Sequence, residues 1–423
     1  MLQPEAGVRA RLRTSTDTPS RRPIPASKPL LSLVPAATPP RGEVTDAIRG
    51  YFAANSHDHP VLAVDLSVVE WNYRALARAL PETAIYYAVK ANPANGVVDR
   101  LAALGCRFDV ASRGEIELCL SRGVDAARLS FGNTIKKERD IAFAHSVGVP
   151  LFAFDAEEEL EKLARSAPGA EVFCRILTSG EGADWPLSRK FGCTPAMAAS
   201  LLRRAAELGL TPRGVSFHVG SQQSDLAQWD GALAETAALF AELAEDGIEL
   251  DLVNMGGGFP ARYRDDVAET DAYGAAIMAA LEKHFAGLDI TTIAEPGRGL
   301  VGDAGVIRSE VVLVSKKDAD EDERWVYLDI GKFSGLAETM DEAIKYRLTA
   351  TRDGADLGGA TGPVILAGPS CDSADILYEK AGYTMPVSLR AGDEVLILAT
   401  GAYTSTYSSV GFNGFPPLET VCV

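Results

Sequence analysis

Cysteine, histidine and positive charge are scarce in this sequence of 423 residues. Its six cysteines and five histidines form no CxxC or HExxH pattern, so the usual spacing of a metal site is missing. No run of 18 apolar residues occurs, which argues against a transmembrane helix. The formal net charge of -17 argues against nucleic acid or an anionic membrane as partner and would mildly attract a cationic substrate. These absences predict a cytoplasmic, metal-free protein with reduced thiols.

The ends of the chain differ in composition from its middle. Residues 1–42 are rich in proline, serine, threonine and arginine, which predicts a disordered tail. A targeting peptide is the alternative, but the prolines would spoil the amphipathic helix that it needs. Residues 303–423 contain apolar runs separated by turns with few helical patterns, so they are predicted to form a mainly β domain.

Eight short apolar runs alternate with alanine- and leucine-rich helical segments in residues 43–302. Strands separated by helices predict parallel βαβ units, and eight of them predict a (β/α)8 barrel. A doubly wound open sheet is the alternative, and the first residues of this region could pack with the C-terminal domain. The runs are 85–89, 106–112, 128–133, 150–155, 171–177, 214–220, 250–258 and 290–298.

Polar side chains lie at the carboxyl ends of these runs, where barrel enzymes place their active sites. Two glycine loops, NMGGGFP (254–260) and EPGRG (295–299), follow the last two runs, at the usual phosphate site of this fold. Three glycines alone could be a tight turn, and neither loop has the spacing of a Walker or dinucleotide motif. The polar residues are Lys90, Asp109, Ser112, Asn133, Arg175, His218, Ser221 and Glu295.

Lys90 ends the apolar run of YYAVKANP, directly before an Asn-Pro turn. Taken alone, this stretch favours a lysine that points to solvent. Taken together with the glycine loops that could bind phosphate, His218 and Glu295, the stretch favours a lysine that forms a Schiff base. The combination predicts pyridoxal phosphate as cofactor. Glu295 would hold the proton of the pyridine nitrogen, and His218 would stack on the ring. A hydrolase triad is disfavoured because Ser221 lies in no GxSxG elbow.

Eight motifs follow one another along the chain, and their order is informative. They are YYAVKANP, FDVASRGEIE, LSRKFGC, SFHVGSQ, NMGGGFP, AEPGRGLV, GPSCDSADI and GAYT. With them, the chain from about residue 45 onwards resembles the fold type III, alanine-racemase-like pyridoxal phosphate decarboxylases. Within that family it is most similar to the bacterial ornithine decarboxylases, including those that also accept lysine. The resemblance implies a barrel followed by a C-terminal β-barrel or β-sandwich domain. It also implies a head-to-tail homodimer with active sites at the subunit interface.

The resemblance further implies residue roles. Lys90 would hold the cofactor as a Schiff base, and Cys371 of the other subunit would protonate Cα of the substrate. Asp341 and Asp372 would bind the distal ammonium group of a diamino acid, and Glu115 would support the lysine strand. The full set of implied cofactor contacts is Lys90, Asp109, Arg175, His218, Ser221, Gly256, Gly257, Gly258, Glu295, Gly297, Arg298 and Tyr403.

The reaction that this resemblance implies is decarboxylation of L-ornithine to putrescine and carbon dioxide, a step of polyamine biosynthesis. Diaminopimelate decarboxylases have Cys-Glu-Ser-Gly-Asp where this chain has CDSAD (371–375), and a shorter carboxylate suits a distal ammonium. The stretch GKFSGLAETMDEAIKY (331–346) differs from its eukaryotic counterpart, which leaves ornithine against lysine open. A diaminopimelate decarboxylase, a racemase of the same fold and a non-catalytic regulatory homologue are the remaining alternatives.

Overall fold

The structure, a computed structural model, describes Ile24, residues 42–185 and residues 190–423. The predicted tail therefore lies outside the described residues except for Ile24 and Gly42, and so do Leu187 to Arg189 of the LSRKFGC motif. The described fold begins with helix α1 (Asp46–Ala54), strand β1 (Val61–Val64) and helix α2 (Leu66–Ala79). Asp65 caps α2 by accepting a hydrogen bond from the Ser67 N–H, which fixes where the strand becomes a helix.

Eight parallel strands close into a barrel, so the fold predicted from the alternating pattern is confirmed. The strands of this region are β2 (Thr83–Ala88), β3 (Arg107–Val110), β4 (Leu129–Phe131), β5 (Leu151–Phe154), β6 (Glu171–Arg175), β7 (Ala183–Trp185), β8 (Thr211–Ser216), β9 (Ser221–Gln223), β10 (Leu252–Asn254) and β11 (Thr291–Ala294). Strands β7 and β9 form a separate antiparallel pair, and the other eight form the barrel, which β11 closes by pairing with β2. The barrel strands are short and largely buried on both faces, as parallel strands covered by helices are.

Helices cover the outside of the barrel and bury its apolar surface. They are α3 (Asn95–Ala103), α4 (Arg113–Ser121), α5 (Glu138–Val147), α6 (Glu157–Ser166), α7 (Pro195–Glu207), α8 (Gln228–Glu245), α9 (Thr270–Phe285) and the short α10 (Arg298–Val301). Helix α7 begins with a Thr194 cap and a proline in its first turn, and α5 ends at Gly148 in the left-handed conformation. Among the described helices, none has the length and apolarity needed to cross a membrane.

The C-terminal part of the chain folds into a curled, mostly antiparallel sheet. Its strands are β12 (Gly305–Ser315), β13 (Arg324–Leu328), β14 (Leu348–Arg352), β15 (Ala355–Asp356), β16 (Thr361–Ala367), β17 (Ile376–Pro386), β18 (Glu394–Leu398) and β19 (Glu419–Cys422). The ninth strand of this sheet is β1, which lies between β12 and β19. Residues 61–64 thus pair with the second sheet although they precede the barrel, and the boundary at residue 302 stays a prediction.

Candidate active site

A cavity of about 670 Å³ opens at the carboxyl ends of the barrel strands. Its position is the one at which barrel enzymes bind their ligands. The structure brings together in its lining Lys90, Asp109, Arg175, His218, Ser221, Gly257, Gly258, Glu295, Gly297, Arg298 and Tyr403. Of the other described residues predicted for the site, the following lie outside this lining: Gly256, Asp341, Cys371 and Asp372.

Lys90 lies just beyond its strand rather than within it. Strand β2 ends at Ala88, and a short 3-10 turn (Val89–Ala91) follows because the Asn92 N–H donates back to the Val89 carbonyl. The turn places Lys90 Nζ 3.1 Å from Oδ2 of Asp109, whose side chain is only 4% exposed, while the lysine is half exposed along the cavity wall. Burial disfavours the charge on Lys90, but the Asp109 carboxylate outweighs burial and raises the pKa of the lysine. Asp109 thus orients the amine and holds its proton.

Glu295 follows strand β11, and its side chain is held by Asn254. The sequence analysis did not single out Asn254, although it is the first residue of the NMGGGFP motif. The Asn254 amide donates to Oε1 of Glu295 over 2.6 Å. Burial, together with repulsion from Asp109, raises the pKa of Glu295 to about 7. A carboxyl group with a pKa near neutrality can hold or share a proton, as pairing with a ring nitrogen requires.

His218 presents a neutral imidazole to the cavity. Burial, with the nearby charges of Arg175 and Lys90, lowers its pKa to about 3. Its Nδ1 lies 3.0 Å from the Gly220 N–H and therefore accepts a hydrogen bond from it, so the ring carries its proton on Nε2. A neutral, flat ring of this kind suits stacking on another aromatic ring.

The loop after β10 passes so close to its neighbours that side chains have no room. Gly256 adopts φ 62°, its N–H donates to Asn254 Oδ1, and its carbonyl accepts the Glu295 N–H. A Cβ on Gly257 would lie 2.8 Å from the Glu295 carbonyl oxygen and 3.1 Å from His218 Nε2. The bare backbone of Gly257 and Gly258 therefore forms part of the cavity wall, which is what a phosphate cradle needs.

Arg298 reaches this cradle but is tied to the C-terminal domain by a residue that the sequence reasoning missed. Its guanidinium binds Glu338 through two hydrogen bonds of 2.9 and 2.6 Å, and the two side chains are only 3% and 4% exposed. Its Nε donates to Ser221 Oγ over 3.1 Å, and Nη1 also donates to the Tyr263 hydroxyl. Glu338 thus links the second domain to Ser221 and Arg298, two of the predicted cofactor contacts.

Asn133, one of the polar residues predicted at the strand ends, also lines the cavity. Further lining residues, not singled out from the sequence, are Lys190, Phe191, Glu338 and Tyr407. The centroid of the Phe191 ring lies 5.3 Å from the Arg175 guanidinium and 4.9 Å from Lys190 Nζ. Lys190 and Phe191 belong to the LSRKFGC motif, which is the sequence feature from which they could have been predicted. Glu338 lies three residues before Asp341, in the stretch from which Asp341 was selected as the functional acid.

Cys371 and Asp372 lie on an exposed loop of the C-terminal domain, outside the cavity of their own chain. Buried Asp375 holds this loop, since it accepts hydrogen bonds from the Ser370 hydroxyl and the Lys332 N–H, each over 2.7 Å. Asp341 is exposed and adopts φ 52°. Glu115 accepts the Ala111 N–H over 2.6 Å, close to strand β3.

The chemistry of the cavity fits pyridoxal phosphate. It holds an oriented amine at Lys90, a carboxyl that can share a proton at Glu295 and a neutral flat ring at His218. Oδ1 of Asp109 is buried without a hydrogen-bond partner among the described residues, so a polar partner is missing beside the lysine. An aldehyde for Lys90, a ring nitrogen for Glu295 and a phosphate for the glycine loop are the groups that this set would bind.

Residues 66–302 match a family model described as the pyridoxal binding domain of the pyridoxal-dependent decarboxylases. The chain belongs to this decarboxylase family. It is 36% identical over 358 residues to the lysine/ornithine decarboxylase of Selenomonas ruminantium, which covers 84% of this chain and 87% of that relative. It is 35% identical over 353 residues to the ornithine decarboxylase of Mus musculus, over 80% of this chain and 75% of that relative. The resemblance found from the motifs is thereby confirmed.

Solved decarboxylase structures share the fold of this chain. The lysine/ornithine decarboxylase of Vibrio vulnificus, complexed with cadaverine, superposes with a TM-score of 0.80 at 32% identity, covering 90% of this chain and 100% of that one. The Selenomonas ruminantium enzyme, solved with pyridoxal phosphate and cadaverine, gives 0.80 at 32% identity over 90% and 94% of the two chains. Pyridoxal phosphate is therefore the cofactor of this decarboxylase fold, as the lysine, carboxylate and glycine loop predicted.

Substituting Gly257 by alanine should weaken cofactor binding. The added methyl would push against the Glu295 carbonyl and His218 Nε2, and forcing a methyl into a packed region costs about 1–3 kcal/mol. We therefore expect the Kd of the cofactor-free protein for pyridoxal phosphate to rise about 5- to 150-fold, measured by fluorescence titration. The control is Gly231→Ala in helix α8, where the new methyl meets nothing within 4 Å. Wild-type affinity in Gly257→Ala would refute the cradle.

Proposed function

We propose that this protein decarboxylates L-ornithine to putrescine and carbon dioxide, with pyridoxal phosphate as cofactor and a second copy of the chain completing the site. The observation that carries the proposal is the meeting, in one cavity, of the Lys90 amine, held by Asp109, with the buried Glu295 carboxyl. The family assignment supports carboxy-lyase chemistry.

Each residue of the cavity would act on the part of the cofactor or substrate that lies next to it. When bound, pyridoxal phosphate supplies an aldehyde for the substrate amine and a ring that accepts electrons. Glu295 would hold a proton toward the ring nitrogen, and the neutral His218 would pack on the ring face. The Gly257–Gly258 backbone and the Ser221 hydroxyl would bind the phosphate. Lys90 would hold the cofactor through its amine, and Asp109 would orient that amine and hold its proton whenever it is free.

We infer that the proton for Cα comes from Cys371 of the partner subunit. Cys371 is exposed and does not line the cavity of its own chain, so it would reach an active-site cavity only across a subunit interface. Asp372, the next residue, would face the same cavity of the partner subunit and bind the distal ammonium of the substrate there. The expected homodimer is thus a requirement of the proposed chemistry.

Lysine is the second candidate substrate. A relative that is 36% identical is named a lysine/ornithine decarboxylase, and the Vibrio vulnificus enzyme was solved with cadaverine and with putrescine. Those diamines are the products expected from lysine and ornithine, which differ by one methylene group. A difference of one methylene changes binding by only about 1–3 kcal/mol, so acceptance of both substrates is compatible with one pocket.

The test is carbon dioxide release by the purified protein loaded with pyridoxal phosphate. L-Ornithine, L-lysine, L-arginine and meso-diaminopimelate are compared in parallel, with size-exclusion chromatography for the dimer. Ornithine well ahead is the expected result, and lysine equal or ahead would keep the mechanism but change the substrate. Diaminopimelate alone would overturn the interpretation of CDSAD. No release from any substrate would support the racemase or the regulatory homologue.

Asp372→Asn should raise KM for ornithine and leave kcat nearly unchanged. Asparagine can still accept the Ala374 N–H that Asp372 Oδ1 accepts over 2.9 Å, so the loop should keep its shape. It loses only the charge, and a hydrogen bond to a charged group contributes about 1.5–3 kcal/mol, or at least about a tenfold change in KM. Asp320→Asn, an exposed acid of the same domain, is the control for net charge. A lower kcat with unchanged KM would contradict recognition by Asp372.

A further inference from the structure

The Cys371 thiol has a partner far away in the sequence. Asn413 contacts it twice: its Oδ1 accepts the Cys371 N–H over 3.0 Å, and its Nδ2 donates to Cys371 Sγ over 3.4 Å. The side-chain amide therefore holds both the backbone and the sulfur of one residue. Neither the motif comparison nor the cavity lining assigns a role to Asn413.

The backbone around Asn413 is shaped to present this amide. Asn413 adopts φ 52°, between Gly411 at 79° and Gly414 at 81°. Asparagine tolerates this left-handed region better than most residues, so the sequence GFNGF suits the turn. The Phe412 ring packs against Phe333 with 5.2 Å between centroids, which anchors the turn to the C-terminal domain.

The two contacting loops share one base. The Cys371 loop is tied to residue 332, whose N–H donates to Asp375 over 2.7 Å. The Asn413 turn is tied to residue 333, through the Phe412 ring and through the Ser409 N–H, which donates to the Phe333 carbonyl over 2.8 Å. Because adjacent residues anchor both loops, the distance between the amide and the thiol is fixed by the fold.

We propose that Asn413 is a positioning residue for the Cys371 thiol, which it orients and whose sulfur it stabilises after proton transfer. The inference rests on the proposed function, in which Cys371 is the acid. The bond from Cα to the carboxylate breaks, carbon dioxide leaves, and Cα takes the proton of the Sγ–H. Sulfur is left with a negative charge, which the Asn413 amide N–H meets, and water later returns the proton.

Two variants separate the contacts. In Asn413→Asp the side chain keeps its shape and can still accept the Cys371 N–H, but a carboxylate oxygen replaces the donor that faces the sulfur. In Asn413→Gly both contacts disappear, while glycine accepts the left-handed backbone without strain. The first variant therefore isolates the contact to sulfur, and the second keeps the test usable if the first folds poorly.

The experiment is alkylation of Cys371 by iodoacetamide in the full-length holoenzyme, without substrate and at one fixed pH, with the modified peptide quantified by mass spectrometry. The thiolate is the reacting form, and a neighbouring carboxylate disfavours it, so Asn413→Asp should slow alkylation of Cys371 about tenfold. Asn413→Gly should fall between this variant and the wild type. Cys422, which is partly exposed, is the internal control and should react at the same rate in all three proteins.

A second measurement connects the contact to the reaction. In the wild type, diamine and carbon dioxide should form in equal amounts. In Asn413→Asp the diamine should fall below carbon dioxide, because part of the decarboxylated substrate would be protonated on a carbon of the bound cofactor instead of on Cα, and hydrolysis would then release it as an amino aldehyde with its α-nitrogen left on the cofactor. Alkylation of Cys371 at the wild-type rate in Asn413→Asp would overturn the inference. If instead Cys371→Ala still forms diamine and carbon dioxide in equal amounts, the assignment of the acid fails, whatever the alkylation rates show.

Discussion

Replacing Lys90 by alanine should lower the rate of carbon dioxide release from the preferred diamino acid by at least about a thousandfold, the scale on which removal of a covalent catalytic group acts. In the cavity, the amine of Lys90 is oriented by a carboxylate: the distance from Lys90 Nζ to Oδ2 of Asp109 is 3.1 Å. The other lysine of the lining, Lys190, lies instead against the Phe191 ring. Alanine would leave the Asp109 carboxylate without its cation and the cofactor without its attachment.

The measurement combines rate with attachment. Borohydride treatment of the holoenzyme followed by peptide mapping should place the cofactor on Lys90 in the wild type and on no lysine in the variant. Lys283→Ala is the matched control, since Lys283 is an exposed lysine paired with Asp230 on the outer helices. A Lys90→Ala protein with the wild-type rate would refute the mechanism, whichever substrate is preferred.

Removing Glu338 should destabilise the protein by about 3–5 kcal/mol, the usual cost of taking one partner from a buried ion pair. Arg298 is buried, and with Glu338→Ala its guanidinium would lose two charge-assisted hydrogen bonds. Burial opposes the charge on Arg298, but Glu338 more than offsets it and raises the pKa of the arginine well above its ordinary value. The variant would therefore keep a buried cation without its counter-ion.

Chemical denaturation of the cofactor-free protein gives this free energy of unfolding. Glu117→Ala is the control, because Glu117 forms an exposed pair with Arg113 within α4, and such pairs contribute less than about 1 kcal/mol. The double variant Arg298→Met with Glu338→Leu should recover much of the loss, since apolar residues can replace a buried pair. A Glu338→Ala protein as stable as Glu117→Ala would show that the pair does not hold the two domains together.

The barrel and most of its rim could be predicted because their signals are local. Each strand carries its own apolar run, and Lys90, His218 and Glu295 follow those runs directly in sequence. Glu338 could not be found this way, because its partner Arg298 is 40 residues away and belongs to the other domain. The nearby Asp341 has the same charge but is exposed, and its role in binding the distal ammonium of the substrate stays a prediction. Distinguishing two acids in one stretch requires their burial, which depends on tertiary packing.

The sequence allowed the first residues of the region 43–302 to pack with the C-terminal domain, but it did not identify strand β1 or its partners, for the same physical reason. Val61–Val64 resembles any buried strand, and its four residues are fully buried. Its partners are the residues from Gly305 to Arg308 on one side and β19 on the other. An isolated run of four apolar residues carries no information about which distant strand it will join.

The position of β1 has a consequence for the order of events during synthesis. The strand leaves the ribosome before the barrel, yet neither of the strands that pair with it in the described part of the chain exists until β12 is made, and its other partner, β19, is made later still. The strands of the barrel pair mainly with their neighbours in sequence, so the barrel can close while β1 is still unpaired. A fragment that contains only residues 303–423 would expose the edges of β12 and β19 that β1 covers, and such open edges invite association with other chains.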